Sequence, residues 1–163
     1  KALQFPTVFN LLGPLVNPSQ PKCQLLGVAN LDQMRLYNQV YQKLGIDFGI
    51  VNSIDGYDEI SLTGDTKIFE RSGEFIFSAE ELGFKNIEPE TIFGGNTKQD
   101  AAVIFKNILE GNGTEEQNSV VLANAAMALK TTGKFSGYED CLFLAKESLE
   151  SGKALQSFRN ILK

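Results

Sequence analysis

The spacing of apolar positions along the first third of the chain predicts a strand, a helix and a second strand. Short apolar runs at 23–29 (CQLLGVA) and 46–51 (IDFGIV) are typical of buried strands. Between them, apolar residues recur at helical spacing over 31–44, with Asn30 as the predicted N-cap and Gly45 as the stop. Strand, helix and strand in succession form a βαβ unit, so the two strands are expected to be parallel and joined by a right-handed crossover.

The remainder of the chain predicts a β-hairpin followed by helices. The segments 66–71 and 74–78 flank the turn Ser72-Gly73 and are expected to pair. Ser78 and Glu81 then match a capping box for a short helix. Ahead of the first strand, residues 7–12 predict one or two helical turns that lead into an ordered loop. The later amphipathic segments that predict helices are 96–111, 114–130 (opened by Thr114 with Gln117), 136–151 (opened by Ser136 with Glu139) and 153–163.

Together these segments predict a single α/β domain over residues 1–163. Its central, mostly parallel sheet carries a β-hairpin and is covered by helices. A chain of 163 residues with 42% hydrophobic and 21% charged residues is typical of a globular protein with a buried core. No stretch approaches the roughly 20 apolar residues of a membrane helix, so no membrane span is predicted. The first segment is apolar and lacks an initiator Met, and we expect the chain to begin partway into a longer protein.

The composition narrows the chemistry that the chain can perform. It contains no histidine, which excludes Ser-His-Asp and Cys-His catalysis and histidine-containing zinc sites within it. Acid–base or metal roles must therefore fall to carboxylates, lysine, tyrosine or backbone groups. The formal net charge of -5 argues against general nucleic-acid binding, which needs surplus Lys and Arg. Cys23 and Cys141 are isolated, which favours free thiols in a reducing compartment such as the cytoplasm.

The strongest candidate for chemistry is the acidic segment Asp55-Gly56-Tyr57-Asp58-Glu59, directly after the second predicted strand. Ligands of α/β sheets bind beyond the carboxyl ends of parallel strands, where this loop must lie. Neighbouring carboxylates there can hold Mg²⁺, whose remaining positions are taken by water and substrate phosphates. The alternative is a solvated acidic turn in which Gly56 supplies a positive φ. For so short a motif, the residues alone favour that turn.

A functional role is less well supported for three further segments. Gly13 and Pro14 would bring backbone and an apolar ring close to a ligand, although a plain connector is the simpler interpretation. Gly94-Gly95-Asn96 precedes a helix but lacks the spacing of a phosphate-binding loop, so we interpret it as a loop and helix cap. Asn124 is a polar residue in an apolar helix and is expected to bond the backbone of a neighbouring loop.

Taken together, the motifs of this chain resemble those of the anthranilate phosphoribosyltransferase family. FNLLGPLVNP, QLLGVAN, VNSIDGYDEISLTG, GGN and VLANAAMAL follow in the family's order over essentially the whole chain. The combination of FN-LGPL-NP with DG-DE at this separation is the most specific part. The resemblance implies the C-terminal portion of the catalytic domain that nucleoside phosphorylases and these phosphoribosyltransferases share.

The resemblance also implies an activity and residues that serve it. The family transfers a phosphoribosyl group from phosphoribosyl pyrophosphate to anthranilate in tryptophan biosynthesis, and Mg²⁺ neutralises the leaving pyrophosphate. By match to the family's motifs, Asp58 and Glu59 are expected to bind the metal, and Gly13 and Pro14 to line the anthranilate channel. The usual VHG before the acidic loop is VNS here, with Asn52 in place of histidine, which leaves the role of that position open.

Other parts of the family pattern have no counterpart in this sequence. They include the glycine-rich loop that holds the pyrophosphate and the N-terminal helical domain through which the family dimerises. We therefore expect the parent protein to be a homodimer and the chain alone to be inactive. Three alternatives stay open: a non-catalytic nucleic-acid-binding paralogue, which would need a basic stripe; a pyrimidine nucleoside phosphorylase, which would need a base site; and a structural domain without a ligand.

Overall fold

The structure, a computed structural model, describes residues 11–162 of the chain. Four strands form one sheet in the order β1-β2-β3-β4. They are β1 (Cys23–Gly27), β2 (Asp47–Ser53), β3 (Thr66–Glu70) and β4 (Gly73–Phe77). The helices are α1 (Leu31–Leu44), α2 (Lys98–Leu109), α3 (Glu115–Thr131), α4 (Tyr138–Glu150) and α5 (Lys153–Ile161), with 3-10 turns at Gly13–Leu15 and Pro89–Ile92. In the described part of the chain, the helices are too short or too polar to cross a membrane.

The α/β class is confirmed, and so are the βαβ unit and the hairpin, but the sheet is mixed. β1 and β2 are parallel, with Cys23 opposite Asp47 and Gly27 opposite Val51. The pairs β2–β3 and β3–β4 are both antiparallel. The expectation of a mostly parallel sheet is therefore wrong for the described strands. A parallel pair needs a long crossover, and only β1 and β2 are joined by a helix, whereas β3 and β4 are joined by a tight turn.

The two main helices cover opposite faces of the sheet. Successive side chains of β2 point to alternate faces, so Phe48 and Ile50 pack with the α1 side chains while Val51 packs with α3. On α1, the buried residues Met34, Tyr37 and Tyr41 recur at helical spacing, and on α3 they are Ala123, Ala126, Met127 and Thr131. Both faces of β2 are therefore buried, which is why its residues 48–51 form a continuous apolar run.

The boundaries of the strands differ from those predicted. β1 ends at Gly27 rather than residue 29, although the amide of Val28 still donates to the Val51 carbonyl at 3.0 Å. β2 continues past the apolar run to include Asn52 and Ser53, which are 4% and 0% exposed. The strand thus carries two polar side chains into the protein interior, where each must find hydrogen-bond partners.

Most of the predicted helix starts are confirmed by side-chain hydrogen bonds. The Asn30 side chain accepts from the Gln33 amide at 3.0 Å, and Gly45 ends α1 in the left-handed region with φ 70°. The Thr114 capping box of α3 is also present, as is a capping box at the start of α2. The prediction for residues 7–12 is met where the structure describes it, because Leu11 and Leu12 are helical; residues 7–10 lie outside the described range.

Two of the predicted capping boxes did not turn out as expected. The Ser78 amide does donate to the Glu81 carboxylate at 2.8 Å, and the Glu81 amide donates to the Ser78 hydroxyl at 3.2 Å, but the chain forms a turn there rather than a helix. Gly83, with φ 84°, reverses the chain before a second helical turn can form. The box of Ser136 with Glu139 is wrong, since α4 is capped by Gly137 without a side-chain bond. The Ser136 hydroxyl donates to the Asp140 carboxylate and so does not accept from the helix.

Candidate functional site: an acidic loop at the end of β2

The acidic segment follows the carboxyl end of β2, as the sequence predicts. The loop turns tightly, because the Ser53 amide donates to the Tyr57 carbonyl and the Gly56 amide donates to the Ser53 carbonyl, both at 2.9 Å. Gly56 has φ 110°, a backbone conformation that L side chains rarely adopt. Asp58 and Glu59 come directly after this turn, and both are exposed. The two carboxylates are therefore open to a ligand in solution.

Asn124 on α3 holds the backbone just beyond the acidic pair. Its side-chain oxygen accepts from the Ile60 amide at 3.0 Å, and its side-chain nitrogen donates to the Ile60 carbonyl at 2.8 Å. The same nitrogen donates to the Val120 carbonyl at 2.9 Å, which ties the amide group to its own helix. The expected bond between Asn124 and a neighbouring loop is confirmed, and its partner is the metal-candidate loop.

Asn52 and Ser53, the two polar residues at the end of β2, hydrogen-bond the backbone of the same loop. Asn52 donates to the Val28 carbonyl at 2.8 Å and lies 3.4 Å from the Tyr57 carbonyl, so it joins the end of β1 to the turn. Ser53 donates to the Glu59 carbonyl at 2.7 Å. The position that the resemblance left open is thus occupied by a side chain that braces the backbone of the loop.

Gly27, at the end of β1, lies against the acidic loop, a contact that the sequence did not indicate. A Cβ atom added there would lie 1.6 Å from the backbone oxygen of Asp58. No side chain fits in that space, so the glycine allows the acidic loop to lie directly against the sheet. A glycine inside a strand does signal a close approach of backbone, but the sequence alone does not name the partner.

Asp55, the first acid of the motif, has a hydrogen-bond partner within the loop. Its carboxylate accepts a hydrogen bond from the Thr63 hydroxyl, and it lies beside Gly64, where an added Cβ would be 3.3 Å from its Cγ. Asp55 therefore anchors the far side of the loop. The candidate metal pair is left as Asp58 and Glu59, the two residues that the resemblance selects.

The two exposed carboxylates influence each other. The pKa of Glu59 is raised from its ordinary value, first because the group is partly shielded from water and second because of the negative charge on Asp58. A cation placed between the two groups would relieve that repulsion. Among the described residues, no cluster of three or more His, Cys, Asp or Glu side chains is placed to hold a metal. Two carboxylates suit Mg²⁺, which usually keeps waters and binds substrate phosphates, rather than an ion held by protein ligands alone.

Gly13 and Pro14 lie in a different part of the structure. They begin the 3-10 turn Gly13–Leu15, and Pro14 lines a cavity of about 430 Å³. Lys22, just before β1, and Ile46, just before β2, line the same cavity. It therefore opens at the amino ends of the parallel strands, whereas the acidic pair follows the carboxyl end of β2. Neither Asp58 nor Glu59 lines this cavity.

The glycine pair before α2 forms a loop and a helix cap, as expected. Gly95 has φ 88°, and the Asp100 carboxylate accepts from the amides of Asn96 and Thr97 at 3.1 and 3.0 Å. These bonds hold the pKa of Asp100 below its usual value, the hydrogen bond from the Thr97 hydroxyl being the largest cause. The amides at the helix start are thus used by the chain's own carboxylate and not offered to an external anion.

The fold and the loop together define an α/β domain with a two-carboxylate site at the carboxyl end of a parallel strand. The family model for the glycosyl transferase family, a/b domain, matches residues 1–155. The chain belongs to that family.

Similar proteins carry a more specific name. The chain is 51% identical to an anthranilate phosphoribosyltransferase of Phocaeicola vulgatus over 162 residues, which is 99% of this chain and 49% of that protein. It is 48% identical to one from Flavobacterium johnsoniae, with 99% and 48% covered. The chain spans about half the length of these curated relatives.

Solved structures with the same fold agree. The anthranilate phosphoribosyltransferase of Thermus thermophilus superposes with a TM-score of 0.84 at 30% identity, over 94% of this chain and 46% of that one. The enzyme of Saccharomyces cerevisiae in complex with PRPP and Mg gives a TM-score of 0.83 at 26% identity, over 95% and 45%. The resemblance drawn from the sequence motifs is confirmed by these comparisons.

Proposed function

We propose that the protein to which this chain belongs transfers a phosphoribosyl group from phosphoribosyl pyrophosphate to anthranilate, and that Asp58 and Glu59 bind its Mg²⁺. The observation that carries the proposal is the pair of exposed, mutually repelling carboxylates at the carboxyl end of β2, in a chain whose relatives bear that enzyme's name. A yeast relative of the same fold has been solved with PRPP and Mg.

The residues of this chain have a defined part in such a reaction. The attack of the anthranilate amine on the ribose expels pyrophosphate, and a bound Mg²⁺ supplies neutralising charge to that leaving group. Asp58 and Glu59 would hold the cation through two carboxylates and leave the rest of its coordination sphere to water and phosphate oxygens. Ser53, Asn124 and Gly27 keep the backbone of the pair in one place, so that little ordering is left to do when the ligand arrives.

Several further features belong to the same proposal. Gly13 and Pro14 are proposed to contact the anthranilate on its approach, and the parent protein is proposed to be a homodimer. A cytoplasmic location remains a prediction that rests on the two cysteines, which are both free, Cys141 being buried. The inactivity of the isolated chain also remains a prediction.

The proposal is tested by neutralising both carboxylates in the full-length protein. Asp58→Asn with Glu59→Gln should lower turnover at low magnesium by about a hundredfold or more, since charge stabilisation of a leaving group is a large part of such catalysis. Turnover is measured as anthranilate consumed over a range of magnesium concentrations. The double change Glu115→Gln with Glu116→Gln removes another adjacent acidic pair, at the start of α3, and should leave turnover near that of the wild type. Unchanged magnesium dependence in the first variant would refute the proposal.

A further inference from the structure

Ser53 occupies an unusual position at the end of β2. It is fully buried, at 0% exposure, and its hydroxyl meets several polar atoms. The hydroxyl donates to the Glu59 carbonyl at 2.7 Å, and it accepts from the Ser61 amide at 3.2 Å and from the Ser61 hydroxyl at 3.1 Å. A serine hydroxyl has one proton and two acceptor sites, so these three bonds use its full capacity. The Thr66 hydroxyl oxygen also lies 3.2 Å from the Ser53 hydroxyl oxygen.

These bonds fix the backbone on both sides of Ile60. Ser53 holds the carbonyl before that residue and the amide after it, while Asn124 holds the amide and carbonyl of Ile60 itself. Four consecutive polar groups of the chain are therefore bonded to side chains that come from β2 and α3. Because both elements belong to the packed core, the loop has little freedom to move relative to the sheet.

We infer that Ser53 is a positioning residue for the Asp58–Glu59 pair: its buried hydroxyl fixes the Glu59 backbone so that both carboxylates face one cation. The inference rests on the proposed metal role of that pair. Asp58 and Glu59 repel each other, and in a loose loop they would separate into water. The bond to the Glu59 carbonyl fixes the backbone from which the Glu59 side chain extends and so limits this separation. Side chains that orient the ligands of a metal commonly affect its affinity about 10- to 100-fold when they are changed.

The test is a binding titration with Mn²⁺ as the probe, in which free Mn²⁺ is followed by electron paramagnetic resonance in the full-length protein. Binding at the Asp58–Glu59 site is the part of the Mn²⁺ binding that the wild type shows and the variant Asp58→Asn with Glu59→Gln lacks. Ser53→Ala removes the hydroxyl and leaves the Glu59 carbonyl and the Ser61 amide without that partner. We expect the dissociation constant of the site to rise about tenfold. The melting temperature is recorded in parallel.

Thr131→Val is the matched control. It also removes a buried hydroxyl, since Thr131 is only 9% exposed. That hydroxyl donates to the Met127 carbonyl at 2.9 Å within α3. It lies beside Gly49 in the middle of β2, away from the loop. This variant should lower the melting temperature and leave the Mn²⁺ dissociation constant unchanged, which separates positioning from general stability.

A milder variant keeps the test decisive if Ser53→Ala does not fold. Ser53→Cys retains the approximate shape of the side chain but offers only a weak donor, so affinity should again fall. Wild-type affinity in a folded Ser53→Ala or Ser53→Cys protein overturns the inference about Ser53 while leaving the metal pair in place. Equal Mn²⁺ binding by the wild type and the Asp58→Asn, Glu59→Gln variant overturns the proposed metal role itself.

Discussion

Replacing Gly27 with alanine would push the acidic loop off the sheet. The added Cβ would lie 1.6 Å from the Asp58 carbonyl oxygen, whereas an ordinary contact begins near 3.4 Å, so the oxygen must retreat by about 1.8 Å. The obstacle is backbone rather than a flexible side chain, and it cannot rotate away. Gly27 itself does not adopt a positive φ, so alanine adds no backbone strain of its own. The substitution therefore acts through its clash with the loop.

The size of the effect follows from the bonds that such a retreat must break. The Glu59 carbonyl is held by Ser53 at 2.7 Å and the Ile60 amide by Asn124 at 3.0 Å. A shift of this size at the preceding residue is incompatible with both. Leaving a buried polar group without its partner costs about 1–3 kcal/mol, so two such losses predict about 2–6 kcal/mol. For a chain of this size, each kcal/mol lowers the melting temperature by about 2–4 °C.

Two measurements check this reasoning. The melting temperature of Gly27→Ala, followed by circular dichroism, should fall by about 4–24 °C. In the full-length protein, Mn²⁺ affinity should fall as well. Gly137→Ala is the matched control, because no atom lies within 4 Å of the Cβ that it adds, and only a small loss at the start of α4 is expected. If Gly27→Ala melted within about 2 °C of the wild type and bound Mn²⁺ equally well, the loop would not depend on this contact.

Two further predictions concern the same loop. Asn124→Leu keeps α3 apolar but leaves both polar groups of Ile60 without their partner, so the free energy of unfolding in urea should fall by about 2–6 kcal/mol; a loss below about 0.5 kcal/mol would contradict the role given to Asn124. Because burial and then the charge of Asp58 raise the pKa of Glu59, the folded protein holds that proton more firmly than the unfolded chain. Without metal, the contribution of Glu59 to stability should therefore fall as pH rises from about 4.5 through the raised pKa. Glu59→Gln should abolish that slope in the melting temperature, whereas Asp58→Asn should reduce it only in part, since burial is the larger cause; equal slopes in all three proteins would contradict this.

Features governed by neighbouring residues could be predicted from the sequence. The capping pairs of α1 and α3, the stop at Gly45 and the hairpin turn depend on hydrogen bonds and backbone angles within a few positions. The failed box at Ser136 shows where such patterns stop being sufficient. The Ser136 hydroxyl has a second nearby partner in Asp140, and the sequence alone does not indicate whether it bonds that carboxylate or caps the helix.

The supports of the candidate site could not be predicted, because their partners are distant in sequence. An apolar run that ends at Val51 gives no reason to extend the strand through Asn52 and Ser53. Those two side chains are tolerated in the interior because Asn52 donates to the Val28 carbonyl and Ser53 donates to the Glu59 carbonyl. Asp55 illustrates the same limit, since only the structure shows that its carboxylate is bonded to Thr63.

The separation between the acidic pair and Pro14 restricts what each can do in the proposed reaction. The cavity lined by Pro14 opens at the amino ends of β1 and β2, and the acids follow the carboxyl end of β2. A strand of five residues such as β1 spans about 13 Å between its first and last Cα atoms, which exceeds the length of any single contact. The residues that line that cavity are therefore separated from the acidic pair by about the length of a strand. We therefore expect substitutions of Pro14 to affect anthranilate binding more than the magnesium requirement.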